Sequence, residues 1–252
     1  MENTSHARSA GDPDGILLVD KPAGMTSHDV VNAVRRMFNI RKAGHGGTLD
    51  PSATGLLVLL LGRGTKLSER VMGGDKVYEG VLRLGAATTT QDAEGEVVSG
   101  ADPLGLSEVA VRAAVGTLRG DIYQTPPMVS AVKQGGVPLY KLARKGVTVA
   151  REPRLVHIYQ FDILEFGLPD SRIAVKCSKG TYVRTLCHDV GEQLGCGGHL
   201  ASLRRLQSGA FSVSNAISFS ELKELPRTDL PARVLPLHTA LREVGEKATG
   251  DR

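Results

Sequence analysis

Tryptophan is missing from the 252 residues, and aromatics of all kinds make up 4%. That excludes an interior of stacked rings. The core has to come from Leu, Val, Ile and Ala, and a hydrophobic fraction of 41% is enough to supply one. Cysteine is scarce as well. Cys177, Cys187 and Cys196 are odd in number and close together, which argues against a disulfide framework and for a reducing compartment. The longest apolar stretch, residues 56–61, falls far short of the ~18 that a membrane-spanning helix needs. The N-terminus has no apolar segment of the secretory kind, so residues 1–14 read as a disordered lead-in and the expected location is cytoplasmic. Nucleotide-cofactor signatures are absent: no GxGxxG follows a strand and no GxxxxGK(S/T) occurs. The GRGTK at 62–66 is only an echo of a phosphate loop. Cys187, His188, Cys196 and His199 contain no CxxC pair, and Cys187 and His188 are neighbours on a predicted helix and so point apart; no metal site is expected.

The charge that is present is unevenly placed. Net charge is +4, yet residues 124–154 carry six cations (Lys133, Lys141, Arg144, Lys145, Arg151, Arg154) against the single anion Glu152, a local excess of +5. The rest of the chain is then close to neutral. One positive segment on a balanced protein suits a polyanion, although an ordinary solvated surface has the same composition.

Apolar spacing predicts a strand near 16–20 and a helix over 26–38, opened by a capping box between Thr26 and Asp29. A glycine-rich loop, 44–55, leads into a buried strand at 56–61, and a short helix over 65–71 ends at Gly73 and Gly74. Residues 76–84 alternate as a strand does, with Tyr78, Gly80, Leu82 and Leu84 on one face. Ser107 caps a helix to about residue 118, and 124–151 reads as a long loop with a helical piece near 139–144. Strands are expected at 155–166 and 172–178, a helix over 182–194, and a second capping box at Ser218 and Glu221. The irregular order of strands and helices favours α+β or mixed α/β over a doubly wound fold.

Four places could carry chemistry. Asp50 ends the run GHGGTLDP at 44–51, where glycines admit a close ligand and Pro51 biases Asp50 towards an extended backbone. Such a carboxylate can serve as nucleophile or acid/base, and can equally cap a turn. Tyr78 on its strand fits a core position, and in an RNA enzyme would fit a stacking platform. Arg184 falls in the first turn of a predicted helix, where the dipole disfavours a cation, so it calls for a compensating anion. His45 on the glycine loop could meet a phosphate or ribose, or be merely structural.

At these residues the sequence resembles the bacterial tRNA pseudouridine-55 synthases, the B-type pseudouridine synthases. The blocks that carry the resemblance run in order over about residues 15–241: GILLVDKP at 15–22 with GMTS at 24–27, GHGGTLDPSATG at 44–55, KVY at 76–78, DAEG at 92–95, PMVSA at 127–131, LY at 139–140, CSKGTYVRTL at 177–186 and LRR at 203–205.

The resemblance implies a single catalytic domain over 15–241 with the pseudouridine-synthase fold, a long mixed, mostly antiparallel sheet with a central cleft and flanking helices. It implies that Asp50 is the catalytic aspartate, that Tyr78 stacks on the flipped base and that Arg184 pairs with Asp50. Tyr182 and Leu203 would shape the pocket, Lys21 would support the Asp50 loop, and His45 would help fill the gap left by the base. The basic insertion 124–151, with Lys133 and Arg144 among its cations, would close over the T-arm of tRNA. The implied enzyme is an isomerase without metal or cofactor, acting as a monomer. After residue 241 the sequence holds a short tail, 242–252, where many relatives carry a PUA-type RNA-binding domain. Two rivals stand beside this reading. A tRNA-folding chaperone could use the same cleft without chemistry. A glycoside or nucleoside hydrolase would want a second carboxylate at a fixed distance, for which Asp92 and Glu94 are available in a turn that suits RNA contact better.

Overall fold

The computed structural model describes residues 13–130, 132–143, 146–147 and 149–245. Most of the predicted lead-in, part of the C-terminal tail and Arg144 lie outside the described residues. The chain divides into two compact units, one formed by the residues up to Gly74 with those from Gln207 onward, the other by Asp75–Leu206.

In the first unit the central strand Thr54–Leu61 lies antiparallel to Gly15–Lys21, with Leu17 opposite Leu59 and Val19 opposite Leu57. Ile217–Ser218 pairs parallel to Gly15–Lys21, and Val234–Pro236 and Ala43–His45 add antiparallel pieces. From Leu56 to Leu61 the central strand is apolar, because both its faces are covered. On one face Leu57, Leu59 and Leu61 pack with Leu17, Val19 and the helix residues Val30, Val31, Val34 and Phe38. On the other, Leu56, Val58 and Leu60 pack with Ile16, Leu67, Val71 and Phe211. The helix Ser27–Phe38 starts where the sequence placed it: Thr26 accepts from the Asp29 backbone N–H and Asp29 returns the bond. The expected helix after residue 61 opens as a 3₁₀ turn, Gly62–Leu67, before the α-helix Ser68–Gly73.

In the second unit Lys76–Leu84, Asp170–Cys177, Arg154–Glu165 and Gly120–Gln124 form successive antiparallel pairs. Tyr78, Leu82 and Leu84 are buried and Arg83 is exposed, the alternation read from the sequence. Ser107 caps the helix Glu108–Gly116, which packs on strand Arg154–Glu165 and on helix Val183–Gln193. Helix Val183–Gln193 is drawn tightly onto the following strand: a Cβ on Gly191 would come within 2.0 Å of the Gly198 backbone nitrogen, so no side chain fits there. Part of the predicted long loop is ordered as a hairpin, Lys133–Gln134 with Val137–Pro138, and a helix, Leu139–Ala143.

Two strands carried no sequence signal. Gly120–Gln124 is short and half polar. Gly198–Ser208 sits beside Lys76–Leu84, but its leucines at 200, 203 and 206 are spaced by three, a helical interval, and it has no β-branched residue. The sheets are mainly antiparallel and flanked by helices, the α+β class expected.

Candidate active site

The loop that carries Asp50 is held by its backbone from three directions. Ser27, at the start of the first helix and buried, donates its hydroxyl to the Leu49 carbonyl (3.1 Å) and accepts from the Leu49 N–H (2.8 Å). The Pro51 carbonyl accepts from the Gly24 N–H at 2.9 Å and from the Lys21 ammonium at 3.1 Å. The Asp50 carbonyl accepts from the Ala53 N–H at 3.1 Å. Asp50 itself is half-buried. The chain enters the loop through Gly46, whose missing side chain is required: a Cβ there would meet Val71 Cγ1 at 2.2 Å. His45, expected on the glycine-rich loop, ends the short strand Ala43–His45 and is half-buried. A carboxylate on so fixed a turn is pre-placed, which is what a reacting group needs.

Lys21 is fully buried, and besides Pro51 its ammonium donates to the carbonyls of Pro22 (2.8 Å) and Met25 (2.7 Å). The ammonium therefore fastens strand, turn and loop at one point. Lys21→Met keeps the volume and leaves these carbonyls without their donor. It should lower stability by about 2–4 kcal/mol, because bonds to a charged donor are worth more than neutral ones and the acceptors stay buried. Chemical denaturation of the two proteins measures the difference.

In the second unit Arg184 is 3% exposed, in the first turn of helix Val183–Gln193. Its two terminal nitrogens are both engaged, one donating to Asp92 Oδ2 at 3.4 Å and the other to the Val129 carbonyl at 2.5 Å. The guanidinium also lies 5.6 Å from the centre of the Tyr182 ring. Asp92 supplies the anion that a first-turn arginine requires. The sequence reading placed Asp92 and Glu94 in a turn suited to RNA contact; within that turn Asp92 is 7% exposed, while Ala93 and Glu94 face solvent. Its other oxygen accepts from the Thr90 hydroxyl and from the Glu94 N–H at 3.1 Å, an Asx turn folded inward rather than outward. The only sequence signal for this partnership was the missing local anion at Arg184. The resemblance named Asp50 as the partner of Arg184; nothing in the sequence pointed to Asp92.

Tyr78 is 9% exposed, opposite Val175 on the next strand. Tyr182 caps helix Val183–Gln193 and is half-buried, as is Leu203 on strand Gly198–Ser208. Lys133 lies in the hairpin at Lys133–Gln134, its side chain outside the described residues, as Arg144 is altogether. Two further buried cations were not foreseen. Arg205 is 2% exposed, and Lys76 is 7% exposed with its pKa pushed down to about 8, by burial first and then by the nearby Arg205 charge. Cys177 and Cys187 are buried, and burial pushes the Cys177 thiol up to about 12 and the Cys187 thiol higher still, so both stay protonated and unreactive near neutral pH. Among the described residues no three His, Cys, Asp or Glu side chains cluster as metal ligands, and no helix is long and apolar enough to cross a membrane.

Residues 35–183 match the TruB family pseudouridylate synthase N-terminal domain, and residues 184–242 match the tRNA pseudouridylate synthase B C-terminal domain. The tRNA pseudouridine synthase B of Opitutus terrae is 48% identical over 227 residues, covering 90% of this chain and 94% of that protein. The protein of the same name from Syntrophotalea carbinolica is 49% identical over 230 residues, covering 91% and 75%. Among solved structures, a Cbf5–Nop10–Gar1 complex superposes with a TM-score of 0.71 at 28% identity, covering 91% of this chain and 62% of that one. An H/ACA RNP bound to a substrate RNA containing 2′-deoxyuridine gives 0.69 at 25% identity, covering 91% and 61%. This chain thus spans less than two thirds of the length of either solved chain. With one family description running over residues 35–183 and relatives close to half identical over nine-tenths of the sequence, this protein belongs to the TruB family of pseudouridylate synthases.

Proposed function

We propose that this protein isomerises uridine to pseudouridine in the T loop of tRNA, at position 55. The observation that carries the reading is 48% identity over nine-tenths of the chain to a tRNA pseudouridine synthase B, together with a rigid loop presenting Asp50. The solved relative bound to a substrate RNA containing 2′-deoxyuridine supports an RNA partner.

The reaction breaks the N1–C1′ bond of uridine, turns the uracil and joins it again through C5. The product has the formula of the substrate, with the C5 proton passing to solvent and N1 taking one up, and nothing is oxidised, so the chemistry calls for no redox cofactor or energy source. The target base lies inside a folded loop and has to be extruded, at a cost of a few kcal/mol that stacking and phosphate contacts offset. Asp50 acts on the ribose in one of two ways. It attacks C1′ as the uracil departs, or it removes the 2′ proton to give a glycal. Tyr78 stacks against the extruded base. Arg184 supplies the positive charge that keeps the aspartate ionised and oriented. Tyr182 and Leu203 shape the uracil site, His45 helps fill the space the base vacates, and the basic insertion, with Lys133 and Arg144, grips the T-arm backbone. The enzyme works in the cytoplasm as a monomer on residues 15–241 as one catalytic body.

A pseudouridine map of unmodified tRNA before and after treatment tests the reading. Conversion confined to the T-loop uridine is the expected result. A tRNA whose T loop stays uridine would overturn the substrate assignment, and release of free uracil would favour a hydrolase.

A further inference from the structure

Gln124 is the last residue of strand Gly120–Gln124, where it pairs with Arg154, and it is 3% exposed. Its side-chain amide forms two hydrogen bonds with one residue 58 positions away. The amide nitrogen donates to the Tyr182 carbonyl at 3.1 Å, and the amide oxygen accepts from the Tyr182 N–H at 2.7 Å. A primary amide offers a donor and an acceptor side by side, so it can match the N–H and C=O of one residue as a neighbouring strand would. Tyr182 needs such a partner. It is the residue that caps helix Val183–Gln193, and it has no short side-chain oxygen with which to make the cap bond that serine or aspartate would supply. Its carbonyl already accepts from the Thr185 and Leu186 N–H groups at 3.1 and 3.3 Å. The amide of Gln124 therefore fixes the two peptide planes that meet at Tyr182, from which the first helical turn grows.

Arg184 stands two residues into that turn. The stretch that begins at Gln124 reaches it a second time, because the Val129 carbonyl accepts from the guanidinium at 2.5 Å. The same stretch is tied to the far end of the basic insertion, where Arg151 donates to the Pro126 carbonyl at 3.0 Å. The insertion and the helix start are thus joined by one polar chain: Arg151 to Pro126, Gln124 to Tyr182, Val129 to Arg184.

We propose that Gln124 is a positioning residue for the isomerisation, setting Arg184 through the backbone of Tyr182. The inference rests on the function proposed above. A merely structural glutamine would affect only the amount of folded protein; a positioning residue affects the chemical step.

The test uses the full chain and unmodified tRNA. It compares Gln124→Leu, which keeps the bulk and removes both bonds, with Gln124→Glu, whose carboxylate keeps the acceptor for the Tyr182 N–H. Single-turnover rate and tRNA affinity are measured separately, each variant is also made on an Arg184→Lys background, and thermal melting records how much of each protein is folded. Gln124→Leu should slow the chemical step by about 100-fold, the penalty expected of a group displaced by about an ångström, with tRNA affinity within about twofold of wild type. Gln124→Glu should fall between the two. On the Arg184→Lys background the loss should largely vanish, since the group being positioned is already compromised. A Gln124→Leu rate close to wild type overturns the proposal. So does a loss confined to affinity, or the same full loss repeated on the Arg184→Lys background. If Gln124→Leu fails to fold, a wild-type rate in Gln124→Glu overturns it. Should the wild-type protein convert no uridine, the functional reading falls and takes this inference with it; an active wild type with an indifferent Gln124 removes the inference alone.

Discussion

Asp50→Ala should fold, bind tRNA and form no pseudouridine. A reacting carboxylate has no substitute elsewhere in such a mechanism, so the loss should exceed about 1000-fold. The main-chain ties that hold this turn are untouched by the change. Ser27 holds both polar groups of Leu49, and Gly24 and Lys21 hold the Pro51 carbonyl. Asp50→Asn is the sharper variant, since it keeps shape and polarity while removing charge and basicity. Tritium release from tRNA labelled at uridine C5 reads the chemistry, and filter binding reads the complex. Binding without release is the expected pair. Release at the wild-type rate would remove Asp50 from the mechanism, and a protein that had no release to lose would be the RNA-folding chaperone instead.

The Arg184–Asp92 pair should separate stability from catalysis. Both side chains are nearly sealed from solvent, at 4% and 10% side-chain exposure. Arg184→Met leaves Asp92 buried without its cation, and Asp92→Leu leaves Arg184 without this anion. Each single change should cost about 3–5 kcal/mol, the usual penalty for stranding one member of a buried ion pair. The double variant should regain much of that loss, because two apolar side chains no longer carry the desolvation cost of charge. Activity should not follow. If the guanidinium serves the reacting aspartate, Arg184→Met and the double variant should both lose about 100- to 1000-fold in single-turnover rate, the scale seen when one preorganised electrostatic donor is removed. Denaturant midpoints and single-turnover rates of the four proteins complete the cycle. Recovery of rate together with stability in the double variant would reduce Arg184 to a structural role.

The wider use of the buried pair lies in how the helix begins. A helix that opens on tyrosine, with arginine in its first turn, has a weak start by local rules: no short capping oxygen and a cation against the dipole. The second is met from outside by Asp92 and the Val129 carbonyl, and the Gln124 amide holds the backbone of the capping residue itself. Local weakness at a site with an external remedy is what a functional site commonly shows, since the chain there is selected for chemistry and held by its surroundings.

By itself the sequence determined whatever depends on neighbours along the chain. The capping boxes at Thr26 and Ser218 close over three residues and appeared where read. The unbroken apolar run of residues 56–61 foretold a buried strand. The glycine run ending in Asp50, and the ordered succession of blocks, pointed to the family. Tertiary structure alone decided the rest. It turned Asp92 inward to an arginine 92 positions away, matched Gln124 to Tyr182 across 58, made a strand of Gly198–Ser208 despite its helical spacing, and buried Lys76 and Arg205. The physical reason is the range of the forces involved. Turn and cap geometry are fixed by bonds a few residues long, whereas the partner of a buried polar group is chosen by which strands lie side by side, and no local pattern records that choice.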